Sequence, residues 1–207
     1  MTNFTTKQLA GVALFLFAIF IGVPMIINAT GRWDFYFTLT SVALLAIASA
    51  GVWLTFYIGR INIGQGAFAL IGAYVSAILV VKAGWSFWIS LPAAGVFAAI
   101  VAILIGLPIL RLRGVYFAMI TLVLTQVVTL TALALPITNG AKGISNIPLP
   151  TGVSLFGIPI IPDFSGMENT KLAFYYTACI LMIVTYAAMY RLVNSRLGHL
   201  CRSMQQN

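Results

Sequence analysis

Long apolar runs separated by short polar segments dominate the chain. A helix rises about 1.5 Å per residue, so crossing a hydrocarbon core about 30 Å thick takes roughly 20 apolar residues. Six runs reach this length, and none shows strand-like alternation. The pattern predicts an all-α integral membrane protein with about six transmembrane helices. The expected spans are 8–29, 35–58, 63–83, 89–110, 115–135 and 171–190.

The composition narrows the class further. Of the 207 residues, 61% are hydrophobic and 7% are charged, whereas about 25% of a soluble domain is charged. With a mean hydropathy of +1.06, the chain lacks the polar surface needed to cover a soluble core. The composition therefore excludes a soluble enzyme, a disordered chain and a secreted disulfide scaffold. The two cysteines, Cys179 and Cys201, are expected to be free thiols.

The distribution of charged residues predicts the orientation of the chain in the membrane. Lysine and arginine are scattered singly between apolar runs, which indicates membrane topology rather than nucleic-acid binding. With six spans, seven bases and no acid fall on the side of both termini, and four bases with three acids fall opposite. Because cytoplasmic loops are enriched in positive charge, we expect both termini in the cytoplasm, an external loop at 136–170 and a cytoplasmic tail at 191–207. The first set is Lys7, Arg60, Arg111, Arg113, Arg191, Arg196 and Arg202, and the second is Arg32, Lys82, Lys142 and Lys171 with Asp34, Asp163 and Glu168.

Small residues and glycines predict local features. Three glycines and two amides in residues 59–66 predict a break between the second and third spans. In the external loop, the loosely alternating stretch 153–161 predicts a hairpin or a re-entrant flap. Small residues recur in two spans and predict packing seams, although a groove for substrate is an open alternative. These stripes are Ala94, Ala98, Ala102 and Gly106 in the fourth span, and Ala69, Ala73 and Ala77 beside Gly72 and Ser76 in the third.

The fifth span is the most polar. Thr121, Thr125 and Thr129 share one helix face, and Gln126 lies near the middle of the span. The threonine hydroxyls could bond to the preceding turn, or they could line a path. An amide at this depth should face protein or water, so Gln126 is expected to be either structural or part of a pathway. In both cases Gln126, Thr125, Asn62 and Gln65 are expected to face the helix bundle rather than lipid.

No Asp, Glu, His or Lys lies deep inside any predicted span. Ion-coupled carriers usually need such a group, so the energy for uphill transport is expected from outside this chain. The sequence also lacks the motifs of zinc hydrolases, serine hydrolases and P-loop proteins, which argues against an enzyme and a metal site. The single histidine, His199, is expected to be a solvated side chain.

Four segments then resemble known motifs, in order along the chain. They are IGQGAFALIGAY at 63–74, LRLRGVYFAMITL at 110–122, TNGAKGISNIP at 138–148 and YRLVNSRLG at 190–198. Together they are similar to the LivM-type permease subunits of branched-chain amino-acid ABC importers. Asn139 and Lys142 replace a glycine and an asparagine of the family pattern. Because the family continues past the last motif into a coupling helix and further spans, the chain is expected to be a truncated permease.

The resemblance implies a single permease domain over 1–207, in the bacterial plasma (inner) membrane, for branched-chain amino acids or a related small polar solute. It implies a second permease subunit, two cytoplasmic ATPase subunits that bind ATP, and a periplasmic solute-binding protein as partners. No cofactor is expected in this chain. The alternative is a passive channel or a non-transporting assembly subunit left by truncation.

Two groups of residues are predicted to act in transport. Uncharged polar side chains near the break and along the fifth span are expected to form the substrate pathway: Asn62, Gln65, Tyr116, Thr121, Thr125 and Gln126. Residues of the basic side are expected to face the ATPase: Arg111, Arg113, Ser195, Arg196, Gly198 and Arg202.

Overall fold

The structure, a computed structural model, describes residues 18–112, 114–150, 153–155, 158–161, 170–195 and 198. A π-helical turn, Ala18–Gly22, leads into the first α-helix. The α-helices are α1 (Val23–Thr30), α2 (Asp34–Tyr57), α3 (Gln65–Val81), α4 (Phe87–Ile109), α5 (Val115–Ala134) and α6 (Thr170–Val193). Two 3-10 turns, Pro136–Thr138 and Gly140–Lys142, and two strands, β1 (Val153–Leu155) and β2 (Ile158–Ile161), lie between α5 and α6.

Four of these helices, α2, α4, α5 and α6, are long and apolar enough to cross a membrane. Their bounds agree with the predicted spans to within three residues at each end. The helix α3 and the apolar stretch Ile19–Thr30 are shorter than 18 residues. The chain is therefore a helical, multi-pass membrane protein. The count of six spans stays a prediction, and the first half of the span at 8–29 lies outside the described residues.

Contacts divide the chain into two compact units. The first comprises residues 1–47 and 168–187, and the second comprises 48–167 and 188–207. In the first unit, α2 and α6 begin side by side, since Lys171 Nζ lies 2.9 Å from Asp34 Oδ1. The Tyr186 hydroxyl donates to the Ala46 carbonyl at 3.2 Å further along both helices. The two helices therefore run parallel within this unit.

A proline in α1 explains a pair of tyrosine contacts in the first unit. Pro24 has no N–H, so it cannot donate to the carbonyls of Phe20 and Ile19, four and five residues earlier. The Tyr175 hydroxyl donates to Ile19 O at 2.9 Å, and the Tyr176 hydroxyl donates to Phe20 O at 3.2 Å. Side chains of α6 thus replace a backbone donor where lipid offers none.

The same unit buries a small polar and aromatic cluster. Tyr36 is fully buried, and its hydroxyl donates to Asn28 Oδ1 at 2.8 Å. Its ring centroid lies 5.7 Å from that of Tyr175. Cys179 is buried beside them as a free thiol, as predicted. Cys201 lies outside the described residues.

In the second unit, α3 and α4 pack closely along small residues. Ala94 is buried on α4, and the Ser76 and Ser90 hydroxyls lie 3.1 Å apart across the interface. Close approach of this kind needs small side chains, so the predicted seam on α4 is confirmed at Ala94, whereas a Cβ on Gly106 would meet no atom within 4 Å. On α3 the predicted stripe is correct only in part: Ser76 meets α4, whereas Ala69 and Ala73 are exposed. The packed positions there are Ser76 and the buried Val80, four residues apart on one face, and a Cβ on Gly72 would meet no atom within 4 Å.

The stretch 153–161 forms the hairpin that was one of the two predicted alternatives. The strands β1 and β2 are antiparallel, with Leu155 opposite Ile158 and an irregularity in register next to Val153. Among the described residues, these strands are the exception to an otherwise helical fold.

Candidate substrate pathway and charged helix ends

The segment between α2 and α3 is non-helical and reaches alongside α5. Ile63 N–H donates to Thr121 Oγ1 at 3.1 Å. Thr121 lies six residues into α5, which is about 9 Å from its start. The 17 residues of α3 add roughly 25 Å. The loop and the short helix together are therefore long enough to cross a hydrocarbon core about 30 Å thick.

Polar groups provide hydrogen-bond partners for the backbone N–H groups of this loop. Asn62 Oδ1 accepts the Gly64 N–H at 2.8 Å, and the Gly64 carbonyl accepts the Ala67 N–H at 3.1 Å. Irregular backbone at membrane depth is tolerated only where such groups have partners. Asn62 and Thr121, both predicted pathway residues, are thus placed together and engaged in holding the loop.

Two glycines allow close approach around the break. A Cβ on Gly64 would lie 3.0 Å from Thr121 O, so only glycine fits without a shift. A Cβ on Gly51 of α2 would overlap with the side-chain amide of Gln65. Gln65 is half-buried and lies against α2 in the second unit, which agrees with the expectation that it faces the other helices.

The threonine face of α5 follows the structural alternative predicted for it. The Thr121, Thr125 and Thr129 hydroxyls donate to the carbonyls of Ala118, Thr121 and Thr125 at 2.9, 3.3 and 2.8 Å. Thr121 is buried, and it differs from the other two because its oxygen also accepts Ile63 N–H. Thr125 and Thr129 are half-buried on the same face.

The prediction that Gln126 faces the helix bundle is wrong. Gln126 lies on the exposed side of α5, and Tyr116 is 75% exposed. Each residue turns a helix by about 100°, which places both side chains about 140° from the buried Thr121 in opposite directions. Periodicity identified the packed threonine face, but the angular position of Gln126 puts its amide outside it.

Each of three polar contacts joins residues that the charge pattern assigns to one side of the membrane. The Arg60 guanidinium donates to the Leu112 carbonyl and lies 5.3 Å from the Phe117 ring centroid. The Lys82 ammonium donates to the Ile137 carbonyl at 2.8 Å. The third contact is the Lys171–Asp34 ion pair in the first unit. The alternation of sides inferred from the charges is consistent with all three.

The residues predicted to face the ATPase are described only in part. Arg111 is exposed beside the Arg60 contact. The Ser195 hydroxyl donates to Leu192 O at 2.6 Å and accepts the Gly198 N–H at 3.4 Å. Arg113, Arg196 and Arg202 lie outside the described residues. Within the described part of the chain, no group of His, Cys, Asp and Glu could hold a metal ion.

The external motif contains a backbone feature that explains one departure from the family pattern. Asn139 has a φ of 61°, in the left-handed region that glycine adopts readily and asparagine tolerates. The Thr138 hydroxyl donates to the carbonyls of Ala132 and Leu135 and fixes the turn to the end of α5. An asparagine in place of the family glycine therefore preserves the turn.

Comparison with known proteins now identifies the family. Residues 35–207 match the family of branched-chain amino acid transport system permease components. The chain belongs to this family. All four resemblance motifs, and the polar contacts of the break, lie within the matched region of the permease.

Two relatives share the name high-affinity branched-chain amino acid transport system permease protein LivM, one from Escherichia coli K12 and one from Salmonella typhimurium LT2. Each is 33% identical to the permease over 165 residues, which cover 72% of this chain and 38% of the relative. The chain thus spans less than half the length of these relatives. None of the solved structures matches it significantly.

Proposed function

We propose that the chain is a transmembrane permease subunit of an ATP-driven importer for branched-chain amino acids or a related small polar solute. It would lie in the bacterial inner membrane with both termini in the cytoplasm. Its partners would be a second permease subunit, two ATPase subunits that bind ATP, and a periplasmic solute-binding protein. The observation that carries the proposal is membership of the permease family over residues 35–207.

The polar groups of the second unit support an uncharged path along α5. Gln126 and Tyr116 lie on its exposed side, where an amide at membrane depth needs a partner other than lipid. A path between this chain and a second permease subunit would present these two groups to the solute. Uncharged donors and acceptors suit a zwitterion with an aliphatic side chain, because they bind both of its charged ends without a fixed opposing charge.

The polar side chains on the packed side of α5 and around the break between α2 and α3 are proposed to have a structural role. Thr121 binds the loop between α2 and α3 to α5, and Asn62 caps the same loop. Gln65 lies against Gly51 of α2, and Thr125 lies beside Gly66 of α3. They position the path rather than contact the solute. Arg60 extends this role to the helix ends, because it ties the loop to the exposed turn at Arg111, where the ATPase would bind.

The decisive experiment is uptake of radiolabelled leucine by cells that express the chain with its cognate ATPase, second permease and binding protein. We expect uptake to need ATP hydrolysis and all four components. Accumulation driven by an ion gradient in vesicles that hold this chain alone would contradict the proposal. ATP-independent equilibration of leucine without the ATPase would support the alternative, a passive channel.

A substitution tests the pathway. Gln126→Leu removes one hydrogen-bonding group, worth up to about 1.4 kcal/mol, and is expected to lower leucine uptake by up to about tenfold. Leu104→Ile, an apolar exchange on the exposed side of α4 and away from the path on α5, is the control and should leave uptake unchanged. Equal uptake by both variants at equal protein levels would remove Gln126 from the pathway.

Thiol labelling tests the orientation. A membrane-impermeant maleimide added to intact cells should leave Cys201 unlabelled, and labelling should appear after the membrane is permeabilised. Cys179 is buried and serves as the internal unreactive site. Labelling of Cys201 from outside intact cells would contradict a cytoplasmic tail.

A further inference from the structure

An apolar pocket of about 410 Å³ lies between α3, α4 and α5, wholly within the second unit. Its walls include Ile71 and Ile78 of α3, Val101 and Ile105 of α4, and Leu124 of α5. None of the residues discussed as a pathway candidate lines it. The pocket is therefore separate from the proposed solute path.

The threonines of the lining present little polarity to an occupant. The Thr131 hydroxyl donates to Val127 O at 2.7 Å, and the Thr138 hydroxyl donates to the carbonyls of Ala132 and Leu135. Their protons are thus engaged by the backbone. The hydroxyl of Tyr74 is the one further polar group of the lining. A single hydroxyl does not replace the hydration of two charged groups or of a phosphate, so a free amino acid or a phosphate ion does not suit this space.

The length of the pocket matches one leaflet of a bilayer. Along α5 and the turn that follows, its lining extends from Leu124 to Leu135. Eleven residues of helix span about 16 Å, which is close to half of a hydrocarbon core about 30 Å thick. An acyl chain of one leaflet therefore has the polarity and the length that the pocket accommodates.

A fixed cation stands at one end of the pocket. Lys82 is exposed, and its ammonium donates to the carbonyl of Ile137, which is itself a lining residue. An ammonium has three N–H donors, so two are left for a further acceptor. No Asp or Glu occurs among the described residues of this unit. The end of the pocket thus carries positive charge that no neighbouring carboxylate of the described unit neutralises.

We propose that this pocket binds one acyl chain of an anionic phospholipid from the surrounding bilayer, and that Lys82 holds its headgroup phosphate. The apolar walls account for the chain and the lysine accounts for the preference for an anion. The lipid would fill a space between three helices that their own side chains leave empty, and so stabilise their packing.

Photoaffinity labelling of the full chain tests the proposal. The protein is placed in phosphatidylcholine vesicles that contain a small fraction of phosphatidylglycerol with a diazirine in its acyl chain. After illumination, mass spectrometry of peptides locates the adducts. We expect them to be concentrated on α3 and α5 at the lining, at residues such as Ile78 and Leu124. Adducts spread evenly over the exposed helix faces, with none enriched at the lining, would overturn the proposal.

Charge variants test the role of the lysine. One lysine near an anionic headgroup changes binding by about fivefold, so Lys82→Gln should lower phosphatidylglycerol adducts in the pocket by that factor. Lys142→Gln removes an equal charge from an exposed residue outside the lining and should have no effect. The phosphate of a phosphatidylcholine probe is neutralised by its own choline cation, so Lys82→Gln should lower its pocket adducts by less than those of phosphatidylglycerol. Equal labelling by both lipids in every variant would refute the assignment of Lys82.

A variant whose larger side chain fills the pocket tests the binding site independently of charge. Val101→Phe places a larger side chain in the wall and should abolish pocket adducts from both lipids, while adducts on the exposed side of α4 remain. Circular dichroism establishes that the variant keeps its helices. Persistence of the pocket adducts in a folded Val101→Phe variant would show that they come from another surface, and the proposal would then be wrong.

Discussion

The replacement of Gly64 by alanine probes the contact on which the break between α2 and α3 depends. Gly64 has a φ of −79°, which any residue adopts, so the substitution carries no conformational strain. The added Cβ would lie 3.0 Å from Thr121 O and 3.2 Å from Asn62 Oδ1. Ordinary contacts of carbon atoms fall at about 3.5 Å or beyond. The loop must therefore move away from α5 by a few tenths of an ångström.

This movement has two costs. It stretches the hydrogen bond from Ile63 N–H to Thr121 Oγ1, which is 3.1 Å long in the native chain. Hydrogen bonds between membrane helices contribute about 0.6 to 1.7 kcal/mol, and overpacking of a tight site costs about 1 to 3 kcal/mol. Since the stretched bond is weakened rather than lost, we expect Gly64→Ala to lower the free energy of unfolding by about 2 kcal/mol.

Gly66→Ala is the matched control, because it adds the same methyl group two residues later. Its Cβ would lie 3.5 Å from Thr125 Cγ2, which is an ordinary contact. Gly66 lies inside α3, where alanine is favoured over glycine by about 0.5 to 1 kcal/mol. We therefore expect this variant to be as stable as the wild type or slightly more stable. The two variants differ in the sign of their effect.

The measurement is reversible unfolding in mixed micelles, followed by far-ultraviolet circular dichroism as the fraction of denaturing detergent rises. The two alanine variants share the same unfolded state in micelles. Errors in describing that state therefore cancel when the free energies of unfolding of the two variants are compared. If Gly64→Ala unfolds with the wild type, or if Gly66→Ala is destabilised equally, the close approach of the loop to α5 is wrong.

The same unfolding assay checks two further contacts. Thr121→Val leaves the Ile63 N–H without an acceptor and should cost about 1 kcal/mol, whereas Thr121→Ser should stay within about 0.5 kcal/mol of wild type; equal stability of the two would show that the hydroxyl is not needed. Tyr176→Phe should cost about 1 kcal/mol because Phe20 O loses its donor. In a Pro24→Ala background the new N–H can serve that carbonyl, so the cost of Tyr176→Phe should fall by about half or more, and strict additivity would contradict this explanation.

Sequence reasoning located the helices well because membrane thickness itself sets their length. The predicted spans 89–110 and 115–135 correspond to Phe87–Ile109 and Val115–Ala134, and the connection between them contains Arg111 and Gly114, which are visible in the sequence. The break at 59–66 was also predictable, because glycines and amides interrupt an apolar run. The four motifs in order, from 63–74 to 190–198, together predict the family to which the chain belongs.

The orientation of each helix about its own axis was decided only by tertiary structure. Hydropathy cannot separate a packed face from a lipid-facing one, because lipid is as apolar as the side chains that pack. For this reason hydropathy predicts Gln126 against the bundle although it is exposed, and it does not separate the packed Ser76 of the α3 stripe from the exposed Ala69. The amides of the break were visible in the sequence, but their partners were not. Ile63 and Thr121 are 58 residues apart, and only the packing of α3 beside α5 joins them.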